Sequence, residues 1–197
     1  MATFAQTHWE EFERLAVDFL SDQFGINPTK IWRTTASHDG GYDGGTVVEL
    51  AKLAGQIIAH KTMLEAKLRS IGKDLGLAAF AKTMIVGYNL GVNCLVIVTN
   101  LDFSKQALSE ARDFAYRARF DIVLVDGATL SGWLRSRWEK LASSYDISFL
   151  TSLLRSPETE APRTVFVPQD GIDSFAPSAE IRLGFDRGKA KIGRAHV

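Results

Sequence analysis

With 197 residues, 46% of them hydrophobic and 23% charged, the chain has the length and makeup of one well-buried domain with some residues to spare, which excludes disordered and fibrous classes. Its 23 basic side chains balance 23 acidic ones, so no overall positive field advertises nucleic acid and any such site must be local. The opening Met1-Ala2-Thr3-Phe4-Ala5-Gln6 lacks a basic stretch leading into an apolar one, and no apolar run is long enough to span a bilayer; a cytoplasmic protein without membrane association is expected.

Thr7-His8-Trp9-Glu10 has the form of a capping box, and Trp9, Phe12, Leu15, Ala16, Phe19 and Leu20 follow at helical spacing until Gly25, which predicts a first helix. Within it Glu13 shares the ridge of Trp9, Ala16 and Leu20, while Glu11, Arg14, Asp18 and Ser21 face away. A carboxylate on an inward ridge needs a partner, and pairing with Arg33 is the plain alternative to a functional role.

Lys30 to Thr35 and Thr46 to Leu50 read as neighbouring strands joined by the glycine-rich Ser37-His38-Asp39-Gly40-Gly41-Tyr42-Asp43-Gly44-Gly45. Asp39 reads as a turn former, and His38 as a residue near substrate only if the loop borders a site. Ala51 to His60 fits neither period and stays open between a strand continuation and a short helix. Lys61 to Leu68 alternates, with Leu64, Ala66 and Leu68 on one face and Met63, Glu65 and Lys67 on the other.

From there the pattern predicts a helix over Lys73 to Asn89, a strand over Asn93 to Thr99, a helix over Ser104 to Arg119, a strand over Asp121 to Val125 and a helix over Thr129 to Leu141. Alternating strands and helices imply parallel pairing with right-handed crossovers, and the nearly apolar Asn93 to Thr99 should be central. The fold class is therefore α/β, a mixed sheet flanked by helices. The single cysteine, Cys94, lies within that central strand as a buried thiol, so a disulfide framework and a cysteine metal cluster are both excluded.

The periodic signal weakens after Ser143, and Ser156-Pro157-Glu158-Thr159-Glu160-Ala161-Pro162-Arg163 replaces core residues with prolines and charges. Residues 1–154 are expected to form the first domain and 155–163 a linker. Residues 164–197, with β-prone Thr164 to Val167 and Ala179 to Leu183, hold too little apolar material for a core and read as the truncated start of a further region.

Glu65 and Lys67 lie two apart on a strand, so a carboxylate and an ammonium share one side. Asp43, after the glycine turn, can be brought beside Glu65 by strand pairing. Two carboxylates suit Mg²⁺, which keeps waters and open positions for phosphate oxygens, and Lys67 is then free for the water or the phosphate. A Glu-x-Lys alone is as well explained by a solvated ion pair. Arg69, Lys73 and Lys82, and Arg135, Arg137 and Lys140 on the last helix, could form a basic rim for phosphates or ordinary solvated faces. His8, His38 and His60 have no metal-ligand spacing, and no Gly-Lys-Ser or Gly-Lys-Thr phosphate loop occurs.

Phe12-Glu13, Asp39-Gly40-Gly41-Tyr42-Asp43, Glu65-Ala66-Lys67, Val96-Ile97-Val98-Thr99 and Val125-Asp126-Gly127, in this order from about Trp9 to Leu134, resemble the Mrr-type restriction endonuclease family of the PD-(D/E)xK nucleases. The resemblance implies a restriction-endonuclease-like αβββαβ core, with Asp43 and Glu65 as metal ligands, Lys67 as the catalytic lysine and Glu13 as an auxiliary acid. It also implies Mg²⁺, with Mn²⁺ as a substitute, as cofactor, and DNA as the partner in restriction or anti-phage defence. The chain departs from the pattern where Tyr42 replaces the motif proline, and Glu65 stands where many Mrr-type members have glutamine. A catalytically silent DNA-binding or assembly module, or a nuclease for RNA or branched DNA, remains open. So do a homo-oligomer and fusion to a downstream sensor, NTPase or DNA-reading domain.

Overall fold

A computed structural model describes residues 4–25, 31–33, 43–53, 56–70, 74–118, 121–156, 165–167, 185–186 and 189–190. Its elements are α1 (Phe4–Phe24), β1 (Ile31–Arg33), β2 (Gly44–Leu53), β3 (Gln56–Lys67), a 3-10 turn (Leu77–Ala79), α2 (Ala81–Asn89), β4 (Cys94–Thr99), α3 (Lys105–Ala118), β5 (Asp121–Val125), α4 (Gly127–Ser136), α5 (Trp138–Ala142), α6 (Ile147–Ser152) and β6 (Val165–Val167), followed by the small hairpin β7 (Phe185–Asp186) and β8 (Lys189–Ala190). The αβββαβ order expected from the sequence is present in α1, β1, β2, β3, α2 and β4.

The strands β1 to β6 form one six-stranded sheet in chain order. β1, β2 and β3 pair antiparallel, β3, β4 and β5 pair parallel, and β6 returns antiparallel to β5. β4 is interior and all its residues are buried, Cys94 included. Burial pushes the Cys94 thiol far above its ordinary range, consistent with a packing role.

Side-chain alternation divides the core into two layers. Leu64, Val96, Val98, Val123 and Val125 pack with Phe12, Leu15, Phe19, Leu20 of α1 and with Leu130, Leu141 and Phe149 of α4 to α6. Met63, Leu95, Ile97, Ile122 and Leu124 face Met84 of α2 and Ala107, Ala111 and Ala115 of α3. Those alanines, four apart and fully buried, let α3 approach the sheet closely. Gly25, at φ +64°, supplies the left-handed residue just after α1.

Several expectations need correction. Within Ala51 to His60, which the sequence leaves open, the described residues continue as strands, β2 reaching Leu53 and β3 starting at Gln56, with an irregularity in the pairing between Glu49 and Ala51. The helix expected from Lys73 starts only at Ala81. Upstream, Leu75 forms a bridge to Phe103, donating its N–H to the Asp102 carbonyl at 2.6 Å and accepting from Ser104 N–H at 3.1 Å, so it is committed to an extended pairing. The helix expected over Thr129 to Leu141 begins at Gly127, capped by the Asp126 side chain, and breaks at Arg137, where ψ is 13°.

The segment past Ser143 folds into α6, capped by Asp146, with Phe149 and Leu150 buried. A helix of 6 residues is too short to display a repeating apolar stripe. Val165 to Val167, assigned by sequence to a region beyond the linker, pairs with Leu124, Val123 and Ile122 as an edge strand of the main sheet. Residues 157–164 lie outside the described residues.

Candidate active site

β3 carries the site because its C-terminal half is held on both sides. Toward β4 it runs in parallel register, Glu65 opposite Ile97 and Lys67 opposite Thr99. Toward β2 it runs antiparallel, Leu64 opposite Gly44, which brings Asp43 alongside Glu65. The Asp43 N–H donates to the Leu64 carbonyl at 2.9 Å, and its Oδ2 accepts from the Ala66 N–H at 2.5 Å. Asp43 is thus bonded to both residues that flank Glu65, which leaves its carboxylate little freedom to leave that neighbourhood.

Glu65 is 1% exposed and faces α2, on the layer of Met63 rather than that of Leu64. Its Oε1 forms an ion pair with Lys67 Nζ, and its Oε2 is buried with no hydrogen-bond partner among the described residues. Burial and the Asp43 carboxylate push the Glu65 pKa up from 4.5 to about 7, against the opposing pull of Lys67 and of the Thr83 hydroxyl on α2. A buried acid with one oxygen unsatisfied and a second acid beside it is unfavourable for folding alone.

Asp43, Glu65 and Lys67 are therefore brought together as the sequence suggests. Glu13 is half-buried on α1, a helix whose Phe12 and Ala16 pack on the face of β3 bearing Leu64 and Ala66. His38, Asp39, Tyr42, Lys73 and the Arg33 side chain lie outside the described residues.

Of the cations that could form a basic rim on the last helix, Arg135 donates to the Arg155 carbonyl and Arg137 pairs with Asp22 at 3.1 Å, while Lys140 is exposed. Three neighbours of the site escaped sequence reasoning. Thr83 sits two residues into α2 with nothing in its pattern to tie it to Glu65. The Thr99 hydroxyl donates to the Lys67 carbonyl at 2.8 Å, and the Asn100 side chain bonds Arg69. A polar Thr99-Asn100 closing an apolar strand was the available signal for these two.

A family model described as a restriction endonuclease, the Mrr catalytic domain, matches residues 4–134. The chain belongs to this restriction endonuclease family. The match encloses α1 through β5 and the Asp43, Glu65 and Lys67 cluster.

Among solved structures, this restriction endonuclease domain is similar to MspJI restriction endonuclease in complex with a 27-mer oligonucleotide, at 22% identity and a TM-score of 0.52 over 79% of this chain and 36% of that one. It is also similar to the DNA modification-dependent restriction endonuclease AspBHI, at 16% identity and a TM-score of 0.43 over 78% of this chain and 40% of that one. The chain spans well under half the length of either solved chain, 36% and 40% respectively. No curated protein matches it. The first of these similarities concerns the fold, a mixed sheet flanked by helices.

Among the described residues, no group of three or more His, Cys, Asp or Glu side chains converges as a preformed cage. The donor set suits a hard divalent cation nonetheless, because such an ion takes one or two carboxylates and completes its shell with water and phosphate oxygens. The unsatisfied Glu65 Oε2 next to the Asp43 carboxylate is the position such an ion would satisfy. Among the described residues no helix is long and apolar enough to cross a membrane.

Proposed function

We propose that the chain is the catalytic part of a cytoplasmic, Mg²⁺-dependent endonuclease that hydrolyses DNA phosphodiester bonds in restriction or anti-phage defence. The observation that carries this reading is the buried, partly unsatisfied Glu65 flanked by Asp43 and Lys67 at the end of β3. Family membership supports DNA as the substrate, as does the oligonucleotide named with the similar fold.

In this reading Asp43 and Glu65 hold Mg²⁺, for which Mn²⁺ substitutes. When bound, the ion neutralises phosphate charge and makes a bound water more acidic. Asp43 keeps its carboxylate aimed through its bond to Ala66 N–H. Lys67 swings its ammonium from Glu65 toward the attacking water or a phosphate oxygen, orienting the one or offsetting charge on the other. Thr99 fixes the main chain beneath Lys67. Glu13 serves as an auxiliary acid from the α1 side. Residues 1–154 with the closing strand β6 form the nuclease unit of a longer protein.

The test is cleavage of supercoiled plasmid with Mg²⁺, Mn²⁺ or EDTA, comparing wild type with Asp43→Ala, Glu65→Ala and Lys67→Ala. Nicking by wild type only with metal, and a loss of about a hundredfold or more in each variant, is expected. Equal activity in all of them would sink the assignment, and metal-independent binding without cleavage would favour a silent DNA-binding module.

A further inference from the structure

Past Lys67 the chain leaves β3, yet β4 continues to hold it. The Arg69 N–H donates to Asn100 Oδ1 at 2.9 Å, and Asn100 Nδ2 donates to the Arg69 carbonyl at 2.8 Å. One side-chain amide thus takes both main-chain groups of Arg69 and replaces the strand neighbour that β4 no longer supplies. Leu68, between the two tethered residues, is 8% exposed and packs into the α1 layer.

Asn100 is itself fixed. Its carbonyl accepts from Arg155 Nη2 at 2.8 Å, while Arg155 Nη1 pairs with Asp102 at 2.6 Å. A Cβ at position 127 would collide with the Asn100 carbonyl and the Arg155 guanidinium, so Gly127 is what allows them to stand there.

The bracket immobilises the Arg69 main chain and leaves its side chain free. Arg69 is exposed, and its guanidinium has no hydrogen bond or ion pair among the described residues, whereas Lys67, Arg135, Arg137 and Arg155 are all engaged. Leu68 is turned into the α1 layer, so a chain that stays extended one residue past it would present the exposed Arg69 guanidinium on the side of Glu65 and Lys67. Residues two apart on an extended chain stand about 6–7 Å apart, comparable to the step between neighbouring phosphates of one DNA strand. A planar guanidinium binds a phosphate through two donors.

We propose that Arg69 binds the phosphate adjacent to the scissile one and that Asn100 is the positioning residue that holds it there. The proposal rests on the DNA-cleaving reading above and adds the residue that seats the backbone beside the reacting bond.

The experiment measures binding of the whole chain to a fluorescein-labelled DNA duplex across a KCl series, with Ca²⁺ in place of Mg²⁺, beside plasmid cleavage under Mg²⁺. Arg69→Ala is expected to weaken binding about tenfold and to lower the slope of log affinity against log salt by about one. In cleavage the loss should fall on KM more than on kcat. Arg69→Lys should keep the slope and recover part of the affinity. Asn100→Ala should cost part of the affinity and add nothing once Arg69 is alanine, because it acts through that side chain.

An unchanged salt slope in Arg69→Ala, in a protein whose wild type cleaves plasmid, would overturn this proposal and leave the nuclease reading intact. Fully additive effects of the two substitutions would overturn the positioning role of Asn100. A wild type that neither binds nor cleaves DNA with any divalent ion would overturn the nuclease reading itself, and this proposal with it.

Discussion

Asp22 and Glu65 are both carboxylates drawn into the protein, and their surroundings act on them in opposite senses. At Asp22, on the seam between α1 and the α4–α5 pair, burial works to raise the pKa. The Trp133 indole N–H at 3.0 Å, the Arg137 guanidinium at 3.1 Å and Lys140 outweigh it, so the carboxyl is held below its ordinary value. At Glu65 burial is reinforced by Asp43, and Lys67 offsets only part of the effect. The first arrangement favours the ionised acid and stabilises the fold. The second retains a buried acid beside a second acid, an arrangement that a bound cation would relieve, as expected where function and stability compete.

The two carboxylates respond to pH in opposite senses. In the folded, metal-free protein Glu65 titrates near 7 rather than 4.5, so the folded state keeps a proton that the unfolded state has released. Its contribution to stability is therefore fully present below pH 4.5 and is lost as pH rises through about 7, a difference of about 3 kcal/mol. Urea unfolding in EDTA at acidic and at mildly alkaline pH should show this loss in wild type relative to Glu65→Gln. Asp22 acts in the opposite sense, its contribution being lost as pH falls below the ordinary carboxylate range.

A smaller effect tests the structural member of the pair. Asp22→Ala strands the Trp133 indole and the Arg137 guanidinium and should cost about 2 kcal/mol in urea unfolding, with plasmid cleavage per folded molecule unchanged. Smaller still is Tyr145→Phe. It removes the hydroxyl that donates to Asp18 at 2.6 Å but keeps the ring under Arg14, so a loss of about 1 kcal/mol is expected.

The two regions also differ in how far the sequence discloses them. β4 was readable because six consecutive buried residues leave an apolar run that few other structures produce. Asp43, Glu65 and Lys67 were readable because strand parity and a glycine turn fix where polar side chains emerge, though only in combination. The Asp22 seam was not, since its partners Trp133 and Arg137 lie far along the chain and nothing periodic links them. The same holds for Asn100 around Arg69, a contact made by tertiary packing alone. α6 escaped because Ile147, Phe149 and Leu150 are all the apolar signal that one short helix shows, and β6 because an edge strand of three residues depends on its neighbour β5.

The most direct measurement is to compare wild type and Glu65→Gln for both unfolding free energy in EDTA at mildly alkaline pH and plasmid cleavage in Mg²⁺. Glu65→Gln is expected to be more stable than wild type and to cleave at least about a hundredfold more slowly. A variant that is less stable, or that cleaves as fast as wild type, would contradict the claim that this buried charge is kept for catalysis.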